Sequence, residues 1–177
     1  MENEILFTES QRFKQWWLWV LLIGVNGFLI FGLYQQIICG KQFGDKPMSD
    51  TGFLMVFGLI LGLTLLFLFF RLETMIKKDG IYVRFFPIHI AFRKYTWDKI
   101  DKAFVRKYNP ITEYGGWGLR YGLFGKGKAL NVSGNKGLQL VFHDNSQLLI
   151  GTNKPEELAQ ALKIIEELKM KGITANK

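Results

Sequence analysis

Two uninterrupted apolar stretches dominate the first 70 residues. Trp16 to Ile38 reads WWLWVLLIGVNGFLIFGLYQQII, 23 residues without a charge, and Gly52 to Phe70 reads GFLMVFGLILGLTLLFLFF, 19 residues that stop at Arg71. At about 1.5 Å per helical residue, both runs match a hydrocarbon core about 30 Å thick. The connector, residues 39–51, carries Gly40, Gly44, Asp45, Pro47 and Asp50, a turn-rich composition that predicts an antiparallel helical hairpin. The first run exceeds the apolar core of a signal peptide, and Tyr34 to Gly40 offers no A-x-A-like cleavage site, so an uncleaved anchor is expected. Trp16, Trp17 and Trp19 stand where an interfacial aromatic belt belongs, with Tyr34 towards the opposite face.

After Leu72 the hydrophobic period changes to two. Ile81, Val83 and Phe85 alternate with polar or amphipathic positions; Pro87 breaks the run, and Ile88, Ile90 and Phe92 then alternate with His89, Ala91 and Arg93, which predicts a second strand. Asp79-Gly80 signals a tight turn that reverses a short strand starting near Glu73. Ile100, Ala103 and Val105 continue the pattern until Asn109-Pro110 ends it. Leu138, Leu140 and Phe142, a polar turn at His143-Asp144-Asn145, then Leu148 and Ile150 read as a hairpin. The glycine-rich stretch from Gly115 to Gly137 retains Trp117, Leu119, Tyr121, Phe124, Leu130 and Val132, so irregular, strongly bent strands are expected there.

The chain closes with a helix. Pro155 suits a first turn, Glu156 and Glu157 its positive end, and Leu158, Ala161, Leu162, Ile165 and Leu168 form one apolar stripe. Lys169 and Lys171 suit the other end and Gly172 a cap. About seven antiparallel strands and one amphipathic helix make a small α+β architecture. The expected organisation is a cytoplasmic N-terminal segment at 1–15, spans at 16–38 and 52–70, an external loop at 39–51, a cytoplasmic domain at 72–171 and a tail at 172–177.

Charge sharpens this division. Residues 16–70 contain four charged side chains, Lys41, Asp45, Lys46 and Asp50, all in the connector, whereas Lys and Arg number 19 against 10 Asp and Glu after residue 70. Arg12, Lys14, Arg71, Lys77 and Lys78 flank one side of the hairpin and Lys41 and Lys46 the other, so the positive-inside rule places both termini in the cytoplasm. A basic face near an anionic leaflet is suited to lipid headgroups. Arg120, Lys126, Lys128, Lys136, Lys77 and Lys78 are the candidate lipid or partner surface. Arg120, set among glycines, is suited first to bonding loop carbonyls and second to a ligand contact.

Within the spans, Gly58 and Gly62 form a G-x-x-x-G pair, suited to a dimer face with a second copy or to packing against the first helix. Asn26 places one uncharged polar group at membrane depth, where it can bond across helices but, lacking an ionisable companion, forms no ion path. Cys39 is the only cysteine, so no intramolecular disulfide forms, and no Cys/His pattern points to a metal or a cofactor. Gly122 to Lys128 has G-x-x-x-x-G-K spacing, but Ala129 follows where a magnesium-binding hydroxyl belongs and the continuation is strand-like. His89 and His143 lie on different hairpins with no nucleophile beside them, and Asp98 and Asp101 alternate with Lys99 and Lys102. No recognition element accompanies the basic residues, which argues against nucleic acid.

The run Gly116 to Arg120, the strand and small-residue turn Val132 to Gly137, and Gly151 leading into the Pro-Glu-Glu-Leu helix start at Leu158 occur in an order that resembles bacterial PH-like domains carried on small membrane proteins with two N-terminal helices. The resemblance spans residues 72–171 and, with the helices, nearly the whole chain. It implies a PH-like antiparallel β-barrel or sandwich capped by the terminal helix, in the inner membrane, and no particular ligand. The expected role is a non-enzymatic adaptor or scaffold that binds a protein partner or anionic lipid at the cytoplasmic surface. The alternative is an accessory or assembly subunit that docks through its hairpin.

Overall fold

The computed structural model describes residues 4–122, 127–170 and 172. The chain divides into two units: Lys14–Phe69, and Met1–Phe13 together with Phe70–Lys177.

The first unit is a helical pair, α1 (Trp16–Leu33), which continues as a wider π turn over Tyr34–Ile38, and α2 (Asp50–Phe69). Both are long and apolar enough to span a membrane, with mean hydropathies of 1.9 and 2.6, and only 11% of each apolar window is buried. Close approach occurs at Gly32, where a Cβ would lie 2.6 Å from Phe53 Cζ. Phe43 from the connector stacks on Phe53 at 5.8 Å and meets Phe28 edge-on at 5.3 Å. Deeper along the pair, Asn26 Nδ2 donates to Thr64 Oγ1 at 2.8 Å and to the Leu22 carbonyl at 2.7 Å, the cross-helix bond expected of that amide. Gly58 and Gly62 play no part in this packing, because a Cβ at either would meet nothing within 4 Å.

The second unit is a mixed α+β assembly of two sheets. One has the order β1-β2-β3-β4, from β1 (Ile5–Arg12), β2 (Arg71–Lys77), β3 (Gly80–Phe86) and β4 (Arg93–Tyr95). The other runs β5-β8-β9-β7-β6, from β5 (Ile100–Lys107), β6 (Gly118–Tyr121), β7 (Lys128–Asn131), β8 (Lys136–Phe142) and β9 (Gln147–Gly151). A short helix, α3 (Pro110–Tyr114), follows β5, and α4 (Pro155–Met170) closes the domain. Leu72 and Ile76 from β2, Ile81, Val83 and Phe85 from β3, and Leu138, Leu140 and Ile150 from β8 and β9 form the core. Leu158, Ala161 and Ile165 of α4 complete it, so the predicted apolar stripe is the buried one. Across the second sheet, Tyr108 and Tyr114 pack on Ala129 and Leu149. That cluster explains why β7 and β9 are buried at consecutive positions instead of alternate ones: Ala129 and Leu149 face it, while Leu130, Leu148 and Ile150 face the main core.

Two expectations change and one strand is added. The sheets do not close into a barrel, and β7 pairs with β9 in parallel, so the domain is not purely antiparallel. The N-terminal segment, to which the sequence pattern assigns no element, carries strand β1, paired with β2 from Arg12↔Arg71 outward. The strand expected over Ile88–Phe92 is a loop, and only Arg93–Tyr95 pairs with β3.

Candidate functional site

The most organised surface feature is the end of the first sheet through which the chain enters α1 and leaves α2. Arg12 is the register partner of Arg71, and Arg71 of Phe86. The Phe13 and Phe70 rings meet edge-on at 6.1 Å just beyond this row, and Phe70 also lies 5.7 Å from Phe85. The Arg71 guanidinium sits 5.0 Å over the Phe86 ring and 3.7 Å from Glu73.

Residues 87–92 connect β3 to β4 at this same end, and the loop is tightly braced. Arg84 Nε donates to Glu73 Oε2 at 2.6 Å, its Nη1 donates to the Ile90 carbonyl at 3.2 Å, and its guanidinium covers the Phe92 ring at 4.5 Å. The His89 amide donates to the Phe85 carbonyl at 2.8 Å. The loop inverts the usual sorting of side chains. His89 is 7% exposed with no partner on Nδ1, whereas Ile88 and Ile90 are 52% and 80% exposed. Burial pushes the His89 pKa below its ordinary value, with the Arg93 charge adding to the shift. The period-two pattern had suggested the opposite faces.

The five basic candidates among the described residues do not form one patch. Arg120 and Lys128 lie on the paired strands β6 and β7; Arg120 Nε donates to the Trp117 carbonyl at 3.0 Å, and Lys128 sits 5.4 Å over Tyr121. Lys136 begins β8 and reaches Glu156 at 3.4 Å. Lys77 and Lys78 belong to the other sheet, at the end of β2 remote from Arg71 by about 20 Å of strand. Lys77 lies 5.0 Å over Tyr82, and Lys78 is paired with Glu4. Lys126, and most of the G-x-x-x-x-G-K segment, fall outside the described residues. No family profile, curated protein or solved structure matches the chain.

Buried polar groups are joined to one another. Glu9 accepts from Thr152 Oγ1 at 2.6 Å and from the Asn153 amide at 2.9 Å, and Gln11 Nε2 donates to the Gly151 carbonyl at 2.7 Å. Asn131 accepts from the Gly118 amide at 2.8 Å and donates to the Tyr108 hydroxyl at 3.1 Å. Burial raises the pKa of both Tyr108 and Tyr114, keeping both hydroxyls protonated. Beside this network lies an open groove of about 540 Å³ lined by Lys107, Tyr108, Pro110, Ile111, Trp117 and Asn135. Asn109 and Glu113 complete the lining, and this mixture of aromatic, aliphatic, polar and oppositely charged groups has the character of a peptide surface. Among the described residues, no three His, Cys, Asp or Glu side chains converge as metal ligands.

Proposed function

We propose that the chain is a membrane-anchored adaptor whose helices span the bilayer and whose PH-like domain, held at the cytoplasmic surface, binds a protein partner or anionic lipid. The pairing of Arg12 with Arg71 carries this reading: it joins the strands on either side of the helical pair into one sheet, so both flanks share one side of any membrane the helices cross. The exposed aliphatic surface of α1 and α2, with Ile23, Met55 and Leu59 each more than half exposed, needs an apolar surrounding worth about 25 cal/mol per Å². Arg12, Lys14 and Arg71 on the sheet side, against Lys41 and Lys46 in the connector, support the cytoplasmic orientation. Two sheets that share one core with the terminal helix α4 support the PH-like reading. Binding is favoured over catalysis because the buried acids and amides are engaged in holding strands together.

Native mass spectrometry of the full chain extracted in mild detergent tests the role. A retained protein or anionic lipid that is lost from a Lys107→Glu, Trp117→Ala variant supports the adaptor. Retention of the same species by that variant moves the binding surface elsewhere.

A second reading, an accessory subunit docked through its hairpin, is favoured by the open surface at Gly58 and Gly62. It predicts that Gly58→Leu with Gly62→Leu releases the partner, which under the first reading stays bound.

A further inference from the structure

We propose that the β3–β4 loop, residues 87–92, is a third membrane contact, inserting Ile88 and Ile90 into the lipid interface beside the points where the helices enter it. The inference rests on the reading that α1 and α2 span the bilayer. Chain connectivity places the loop: α2 ends at Phe69, β2 begins at Arg71, and Arg71 is paired directly with Phe86, the residue before the loop. Neighbouring strands lie about 5 Å apart, so the start of the loop is within a few ångströms of the strand that continues into the membrane helix.

The chemistry of the loop fits lipid. Two large aliphatic side chains are presented to the surroundings while the one imidazole is turned inward, an arrangement unfavourable in water and favourable against acyl chains. Arg84 holds the loop in shape through the Ile90 carbonyl and the Phe92 ring, so presenting the isoleucines needs little further ordering. Arg12 and Arg93 are exposed and, among the described residues, pair with no acid, leaving them suited to phosphate oxygens at headgroup depth. Lys77 and Lys78 sit at the other end of the same strands and are excluded from this contact. The loop, and not the lysine-rich turn, is therefore the lipid-facing edge of the sheet.

The test uses the full chain in nanodiscs of mixed zwitterionic and anionic phospholipid. Cys39→Ser removes the lone exposed thiol, and single cysteines carrying an environment-sensitive fluorophore are placed at Leu66, Ile88, Ile90 and Lys78, then read by quenching from doxyl-labelled lipid. The expected result is strong quenching at Leu66, clear quenching at Ile88 and Ile90, and little at Lys78. Quenching at Leu66 without quenching at the two isoleucines overturns the loop contact while leaving the membrane anchor intact. Blue-shifted emission at Ile90 without lipid quenching overturns it in favour of a protein partner on the loop. Equal quenching at Lys78 and Ile90 overturns it as well, because no selective insertion then exists. An unquenched Leu66 removes the spanning reading and the proposal together.

Discussion

The Thr152 hydroxyl donates a 2.6 Å hydrogen bond to Glu9 Oε2, joining residues separated by 143 positions. Glu9 precedes both membrane-length helices and Thr152 follows every strand of the domain. The bond is buried, and a second donor, the Asn153 amide, holds the other carboxylate oxygen at 2.9 Å. The domain therefore completes itself only when the segment before the helices returns to it.

Removing Thr152 Oγ1 leaves a buried carboxylate short of a donor, which costs about 1–3 kcal/mol. Thr152→Ala is expected to lower the melting temperature of the full chain in detergent, and Thr152→Ser to restore most of the loss. An unchanged Thr152→Ala variant would remove Glu9 from the account of how β1 is held.

A pH dependence follows from His89. Its folded pKa lies below the ordinary 6.5 because burial disfavours the imidazolium, and Arg93 acts in the same direction. The unfolded chain therefore takes up a proton first as pH falls. Stability from this site is complete above about pH 6.5 and is lost as pH drops through the folded pKa. Melting temperature should fall more between about pH 7.5 and about pH 5.5 in the natural chain than in His89→Leu, where nothing titrates. Identical slopes would show that the histidine takes up its proton equally in the folded and unfolded states.

Gly80 has φ of +153°, and a Cβ there would meet the Tyr95 carbonyl oxygen at 2.6 Å. Backbone, not a mobile side chain, blocks the space, so Gly80→Ala should destabilise by about 1–3 kcal/mol and loosen β4 from β3. Hydrogen exchange at the Arg93–Tyr95 amides reads this directly. Unaltered protection would mean that β4 is not held by this approach.

In the helical pair, Asn26 and Thr64 share a 2.8 Å bond. A double-mutant cycle with Asn26→Ala and Thr64→Ala should return a coupling of about 0.6 kcal/mol, the usual size for a hydrogen bond between membrane helices. Gly32→Ala should disturb the pair far more than Gly58→Ala, because only Gly32 abuts Phe53 and Phe43.

The helices and α4 were legible because their signals are local: uncharged runs for α1 and α2, and Pro155 with an apolar stripe for α4. The β8–β9 hairpin was legible for the same reason, with alternating leucines on both sides of a polar turn. β1 was not, because two of its inward positions are Glu9 and Gln11, whose burial depends on partners about 140 residues away. The parallel β7–β9 pairing is equally non-local. At the candidate surface, charge counting selected Lys77 and Lys78, which strand register carries to the remote end of β2. Alternation placed Ile88 and Ile90 on one strand face, but Arg84 and the Phe85 carbonyl fix a loop that turns His89 inward instead. Nothing local in Asn131-Val132-Ser133 reveals that Asn131 is fully buried between Gly118 and Tyr108, because its partners are 13 and 23 positions away.

The central claim is that the strands before and after the helical pair lie on one side of the membrane, opposite the connector. Cysteine accessibility in intact cells measures this with a membrane-impermeant maleimide. Native Cys39 reports the connector; Ser10→Cys in β1 and His143→Cys in the β8–β9 turn, each with Cys39→Ser, report the two flanks. The account predicts that Cys39 reacts in intact cells, whereas the other two react only after permeabilisation. Reaction of Ser10→Cys and His143→Cys from opposite sides would contradict it, because strands in one sheet cannot be separated by a bilayer.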